Sequence, residues 1–328
     1  MILRTPIVCI AALISAVLAV PAFAQELKPW KHGIIEPKAD AGFSVMVSRN
    51  GFAEKRGLKV EIVTLKNGAT AHKALLAGEL DSIESSPGAA ILAGAHGADI
   101  KIVGCDWPGV PHGLMVRSTV NKVEDLKGKT IAVAAPGSLP NLLINAILEK
   151  SGVPSSDVRF ANLGSDLERY KAILAGVADA GIVAAEFTAI APKDLKMLVA
   201  GRDALPNYVR LCLTTTGKVI ASRRADAVAF VAAEMDALHY TMSHRDETIA
   251  LTGAVTHAKP DDPRPAYVYD DTVKGGAVDP DIGVPMDKLN WLQSVLLKAG
   301  NLKTPIDLST ITAPDIRDEA AKLSAASR

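Results

Sequence analysis

Three cysteines, an aromatic content of 4% and no excess of either charge are the scarcities of this 328-residue chain. Each closes off a class of function. Three cysteines cannot build a disulfide-dense scaffold or a cysteine-rich metal domain. So few aromatic rings argue against a surface studded for carbohydrate stacking. Lys and Arg number 36 against 36 Asp and Glu, so no basic field exists to neutralise nucleic-acid phosphates. HExxH, GxSxG and Ser-x-x-Lys patterns are missing, and the seven His are scattered, which opposes metal and serine hydrolysis. Gly128-Lys129-Thr130 looks like the end of a phosphate-binding loop, but Val123 stands where its first Gly belongs.

One long apolar run does occur, at the start. Residues 1–24 carry a single charged side chain, Arg4, then an apolar stretch over residues 7–20, then Pro21-Ala22-Phe23-Ala24 before the polar Gln25-Glu26. This is the charged, apolar and small-residue order of a cleavable secretory signal. The run is shorter than the ~20 residues of a membrane span. Cys9 lies inside it and is poorly placed for lipid attachment. Cleavage after Ala24 is expected to leave 35 basic and 36 acidic side chains on an exported, periplasmic protein.

The remainder alternates short β-branched runs with amphipathic segments, the pattern of parallel α/β sheets. Strands are predicted over residues 31–35, 59–65, 80–84, 101–105 and 112–117, with helices over 43–56, 69–77 and 87–94. The alternation restarts with strands at 130–134, 158–162, 180–184 and 196–200 and helices at 139–151 and 166–176. A long extended segment, 208–220, precedes helices at 224–243, 245–256, 286–299 and 315–325. The Pro-, Gly- and Asp-rich stretch 259–285 reads as structured loop with short helix. Two such units joined near residues 116–118 and 208–211 predict two lobes with a cleft at the carboxyl ends of their strands. Gly57, Gly78 and Gly176 stand where helices stop, and Asp81 and Asp179 read as turn and capping residues.

The segments GLKVE (residues 57–61), AGELD (77–81), DLKGKTIAV (125–133) followed by Gly137-Ser138, and LAGVAD (174–179) occur in this order. In order and spacing the chain resembles periplasmic solute-binding proteins of ABC importers for sulfonates, nitrate and thiamine precursors, over about residues 30–320. The resemblance implies a type II periplasmic binding fold with mixed sheets, helices on both faces and a hinge of two crossing strands. Its expected divisions are a signal peptide at 1–24, a first lobe at 25–117, a second lobe at 118–209, and a return strand with C-terminal helices at 210–328. It further implies a monomer with a small-molecule ligand, delivery to an ABC permease and ATPase, no cofactor and no nucleic acid.

Candidate ligand residues lie at cleft-side strand ends. Gly137-Ser138 follow a strand and open a helix, where unpaired backbone N–H groups attract an anion; Asn141 lies in the first turn. Ser85 and Ser86 hold the equivalent place in the first lobe, with plain capping as the alternative for all of these. Trp107 offers an indole to a planar ligand, or else packs in the core. Glu186 could accept from an amine or amidine. Lys38 and Asp40 lie in the loop after the first strand. In sulfonate-binding relatives helix starts hold the sulfonate, which carries over to Ser138 and Ser85, while the acidic residues leave a zwitterionic ligand open. The resemblance also sets the return strand beside the fourth strand, bringing Cys105 and Cys212 close as a disulfide or as two buried thiols.

The primary reading is a binding protein that closes on an anionic or zwitterionic organic solute and does no chemistry. An enzyme on the same fold, of the pyrimidine-precursor synthase or dehydratase type, is the first alternative. It is opposed by the absence of a Cys-rich motif and by the export signal. A ligand-sensing partner of a membrane receptor is the second; it needs the same closure.

Overall fold

The computed structural model describes residues 26–134 and 138–326. The predicted signal peptide, Cys9 and Gly137 lie outside the described residues.

Two five-stranded sheets share one strand plan. The first runs, in spatial order, β2 (Leu58–Leu65), β1 (Lys28–Ile35), β3 (Ser82–Ser85), β10 (Leu211–Thr215) and β4 (Lys101–Trp107). The second runs β7 (Arg159–Asn162), β6 (Thr130–Val133), β8 (Ala180–Ala184), β5 (His112–Arg117) and β9 (Leu195–Ala200). In each sheet four strands run the same way and a fifth, which arrives from the other lobe, runs antiparallel: β10 between β3 and β4, β5 between β8 and β9. The chain therefore crosses between lobes twice, directly from β4 to β5 and, after β9, through α6 (Gly201–Ala204) into β10. A two-lobed α/β fold results.

Alternation along β4 and β10 feeds two cores. Ile102, Cys105 and Cys212 point to one side with α2 (Gly68–Ala77) and α3 (Pro87–Ala95). Val103, Trp107 and Leu213 point to the other, against Phe230 and Leu238 of α7 (Gly217–Thr241). Cys105 and Cys212 are joined, with an S–S distance of 2.06 Å, at the bulge between Leu211 and Leu213 where the ladder shifts register.

Local chemistry accounts for most boundaries. Asn67 caps α2 by accepting from the Thr70 N–H, and Ser165 and Glu168 form a reciprocal capping box on α5 (Asp166–Leu174). Gly57 and Gly78 end their segments at φ 78° and 79°, a conformation that suits glycine. Asp81 accepts the Lys31 N–H and Asp179 the Thr130 N–H, so the same turn carboxylate ties the same pair of strands in each lobe.

Three predicted segments come out differently. The helix expected over 43–56 breaks into α1 (Ala41–Val45) and 3-10 turns at Met46–Ser48 and Glu54–Arg56, because Asn50 and Gly51 both take positive φ and reverse the chain. The extended segment expected to residue 220 ends at Thr215. Thr216 caps α7 through the Val219 N–H, and the Asp99 carboxylate accepts the Gly217 and Lys218 N–H groups. The stretch 259–285 contains an eleven-residue helix, α9 (Arg264–Lys274).

Arg223-Arg224, expected to be a solvated helix start, does more than that. Arg223 sits at a kink inside α7 (φ −138°, ψ 37°), donates to Asp81, Asp226 and the Pro29 carbonyl, and stacks 5.0 Å over Trp30. Arg224 bridges to Asp315 and Glu319 of α11 (Pro314–Ala325).

Candidate functional site

The two crossings and the loop after β1 meet at one cleft. Its main compartment, about 220 Å³, is lined by Lys38 and Asp40 from that loop, Trp107 at the end of β4, His112 at the start of β5, and Glu186 just after β8. Arg202 of α6, Arg210 just before β10, Tyr267, Asp271 and Thr272 of α9, and Lys288 complete the polar lining. A second compartment, about 240 Å³, shares Lys38, Asp40 and Arg210 and adds Ser44, Glu84, Ser86 and Tyr208.

Arg210 organises the floor. Its guanidinium lies 2.5 Å from Asp40 and 4.8 Å from the centre of the Trp107 ring. Burial alone would make it easier to deprotonate, but Asp40, Glu84 and Asp106 hold it above its ordinary range, so it stays charged. The acids around it are driven the other way. Burial pushes the Glu84 carboxyl up to about 7, assisted by Asp40 and opposed by Ser44 and Arg210. Burial, then the nearby Glu84, pushes Asp106 well above its ordinary value, and burial does the same to Glu234 of α7.

Asp166 forms a contrasting centre in the second lobe. It accepts from Arg169 at 2.5 Å and from the Ala184 N–H at 3.1 Å, and lies 3.2 Å from His112 and 3.7 Å from Lys38. Burial would push its carboxyl up; His112, Arg169 and Lys38 outweigh that and hold it well below the usual carboxylate range. The Lys38 contact spans the cleft. So does a bidentate pair in which Arg202 of the second lobe donates twice to Asp271, at 3.0 Å each. The cleft is thus bridged by ion pairs on two sides.

Of the residues expected to hold ligand, Lys38, Asp40, Trp107 and Glu186 converge on the main compartment, and Ser86 lines the second. Burial raises the Glu186 carboxyl, with Asp40 adding to the rise. Ser85 is fully buried on the opposite face of β3, its hydroxyl 3.4 Å from His72 Nε2. Ser138 stands at the start of α4 (Leu139–Lys150) with Asn141 in its first turn; neither is among the residues lining the two compartments. Sequence reasoning missed Arg210, His112, Arg202 and Glu84. The usable signal was a charged or imidazole side chain at the mouth of a crossing strand, as at Arg210 and His112, where an apolar residue would be expected. Among the described residues no group of three or more His, Cys, Asp and Glu is arranged to hold a metal ion.

A family profile described as NMT1/THI5 like matches residues 41–248. The chain belongs to the NMT1/THI5-like family. No curated protein matches it by sequence. Solved structures share the fold of this NMT1/THI5-like chain at low identity. The periplasmic aliphatic sulphonate binding protein SsuA from Escherichia coli is 20% identical, with a TM-score of 0.71, over 86% of this chain and 91% of its own. The periplasmic nitrate-binding protein NrtA from Synechocystis PCC 6803 is 14% identical, with a TM-score of 0.66, over 92% and 90%. A DszB variant in complex with biphenyl-2-sulfinic acid is 17% identical, with a TM-score of 0.66, over 89% and 99%. These likenesses establish the two-lobed fold.

Proposed function

We propose that this NMT1/THI5-like protein is an exported solute-binding protein. It captures a small anionic or zwitterionic organic solute between its lobes and delivers it to an ABC permease and ATPase. The observation that carries this reading is the cleft itself. It is drawn from both lobes, sits beside both crossings, and is bridged by Lys38–Asp166 and Arg202–Asp271. Bending at the crossings opens and closes such a cleft around a ligand. Lys38, Arg210 and Lys288 line it among carboxylates, giving anion contacts without a net field from the whole protein. The protein acts as a monomer and needs no cofactor in this role. Among the described residues no helix is long and apolar enough to cross a membrane, and a periplasmic location follows from cleavage of the leader after Ala24.

A thermal-shift screen of the mature protein against sulfonates, aromatic carboxylates, nitrate and pyrimidines tests the reading. A ligand at about 100 times its Kd adds roughly 2.7 kcal/mol of stability. Ala185→Trp, which fills the main compartment, is expected to abolish that response. Consumption of the solute by purified protein alone would falsify the binding-protein reading and favour an enzyme on the same fold.

A further inference from the structure

The second compartment contains a feature that simple anion capture does not use. Glu84 is 4% exposed and lines this space, and its Oε1 has no hydrogen-bond partner among the described residues. Ser44 beside its carboxyl lowers its pKa only in part. The cation whose charge reaches it, Arg210, lies 2.5 Å from Asp40. Asp106 and Glu234 behind it add acidity rather than compensation. Ile34, Ile35, Pro37 and Leu211 make the rest of the wall largely apolar. A buried acceptor without a partner is costly to maintain, and a ligand donor offered to it in that apolar setting binds strongly.

We propose that Glu84 receives the protonated amine or amidine of a two-headed solute whose acidic group lies in the main compartment. This rests on the solute-binding role above and narrows its substrate class from organic anions to amino or amidino acids. The compartments meet at the Arg210–Asp40 pair, which lines both. That pair then stands between the two heads, Arg210 towards the acid and Asp40 towards the base. Lys288 supplies further positive charge on the acid side, and Lys38, like the pair, lines both compartments. The apolar wall suits a short hydrocarbon spacer.

The test is a set of matched pairs, each acid with and without a terminal base: taurine with ethanesulfonate, beta-alanine with propionate, and (aminomethyl)benzoate with toluate. Binding is measured by calorimetry on the mature protein and on Glu84→Gln. For the wild type, the base-bearing member is expected to bind at least about tenfold tighter than its partner. Glu84→Gln is expected to erase that preference, so that the two members of each pair bind alike. Should Glu84→Gln fail to fold, Glu84→Asp retracts the carboxylate and is expected to weaken the same preference. Equal binding within the pairs, or a preference that survives Glu84→Gln, overturns the role of Glu84 and leaves the solute-binding reading standing. If no member of the set binds, capture of small organic acids is itself refuted, and the narrower inference falls with it.

Discussion

Replacing Glu84 by Gln is expected to stabilise the ligand-free protein above neutral pH, the opposite of the usual outcome at a buried position. Burial pushes the Glu84 carboxyl from 4.5 up to about 7. Between those values the folded protein holds a proton that the unfolded chain has released. Stability is therefore greatest below the lower value, falls as pH rises through the window, and stays reduced above it. The rise from 4.5 to about 7 bounds the loss at roughly 3 kcal/mol. Gln keeps the shape and removes this loss, and it relieves Asp106 and Glu234, both of which feel the Glu84 charge. It also gives up the attraction of Arg210 and leaves amide donors to satisfy. The net gain is then about 1–2 kcal/mol at about pH 8 and under about 1 kcal/mol at about pH 5. Urea unfolding of both proteins at the two pH values, with midpoints compared at unchanged slope, measures the difference. An identical difference at both pH values, or net destabilisation at the higher one, would show that Glu84 is comfortably ionised and would refute the reasoning. A variant that is more stable but binds less well is what a functional site held at a stability cost should give.

Other expectations address the frame around the cleft. Asp271→Ala removes the bidentate contact with Arg202 across the lobes; both side chains are about one-third exposed, so global stability should change by about 1 kcal/mol or less. The radius of gyration in solution should nonetheless increase, because one of the bridging pairs is lost; an unchanged scattering profile counts against a latch. The Cys105–Cys212 bridge closes a loop with a sequence separation of 107, for which chain entropy suggests roughly 4–5 kcal/mol of stabilisation. Reduction, or the paired Cys→Ala variant, should lower the melting temperature, and mass spectrometry before alkylation should find no free thiol in the mature protein. Arg223→Ala strips three hydrogen-bonding partners and a ring contact from the start of α7 and leaves Asp81 without its arginine. A loss of about 2–4 kcal/mol is expected in chemical unfolding. A loss below about 0.5 kcal/mol would mean that the kink does not depend on this side chain.

What could be read from the sequence, and what could not, divides along a physical line. Alternation, helix stops and turn carboxylates are local, so the succession of strands and helices along the chain, Gly57, Gly78 and the turn roles of Asp81 and Asp179 were accessible from short windows. The break at Asn50-Gly51 was local too, but positive φ at a non-glycine residue has no firm sequence mark. Lys38, Asp40, Trp107 and Glu186 could be nominated because each follows a predicted strand on the cleft side. The serine pair after β3 shows the limit of that rule. Successive residues of a strand face opposite ways, so Ser85 and Ser86 cannot both look into one cleft, and the face that carries Ser82, Glu84 and Ser86 is the one turned away from Ser85. Choosing between the faces requires knowing which core lies on which side. That depends on α7, which arrives long after β3 in the chain. The same dependence hid Arg210 and its acids. Asp40, Glu84 and Asp106 are unremarkable carboxylates in their own windows, and they become a buried cluster only when β10 returns between β3 and β4 and brings Arg210 among them. The return of the chain to its first sheet is therefore what assembles the charged floor of the cleft. A ligand that reads this floor necessarily reads the return of the chain from the second lobe.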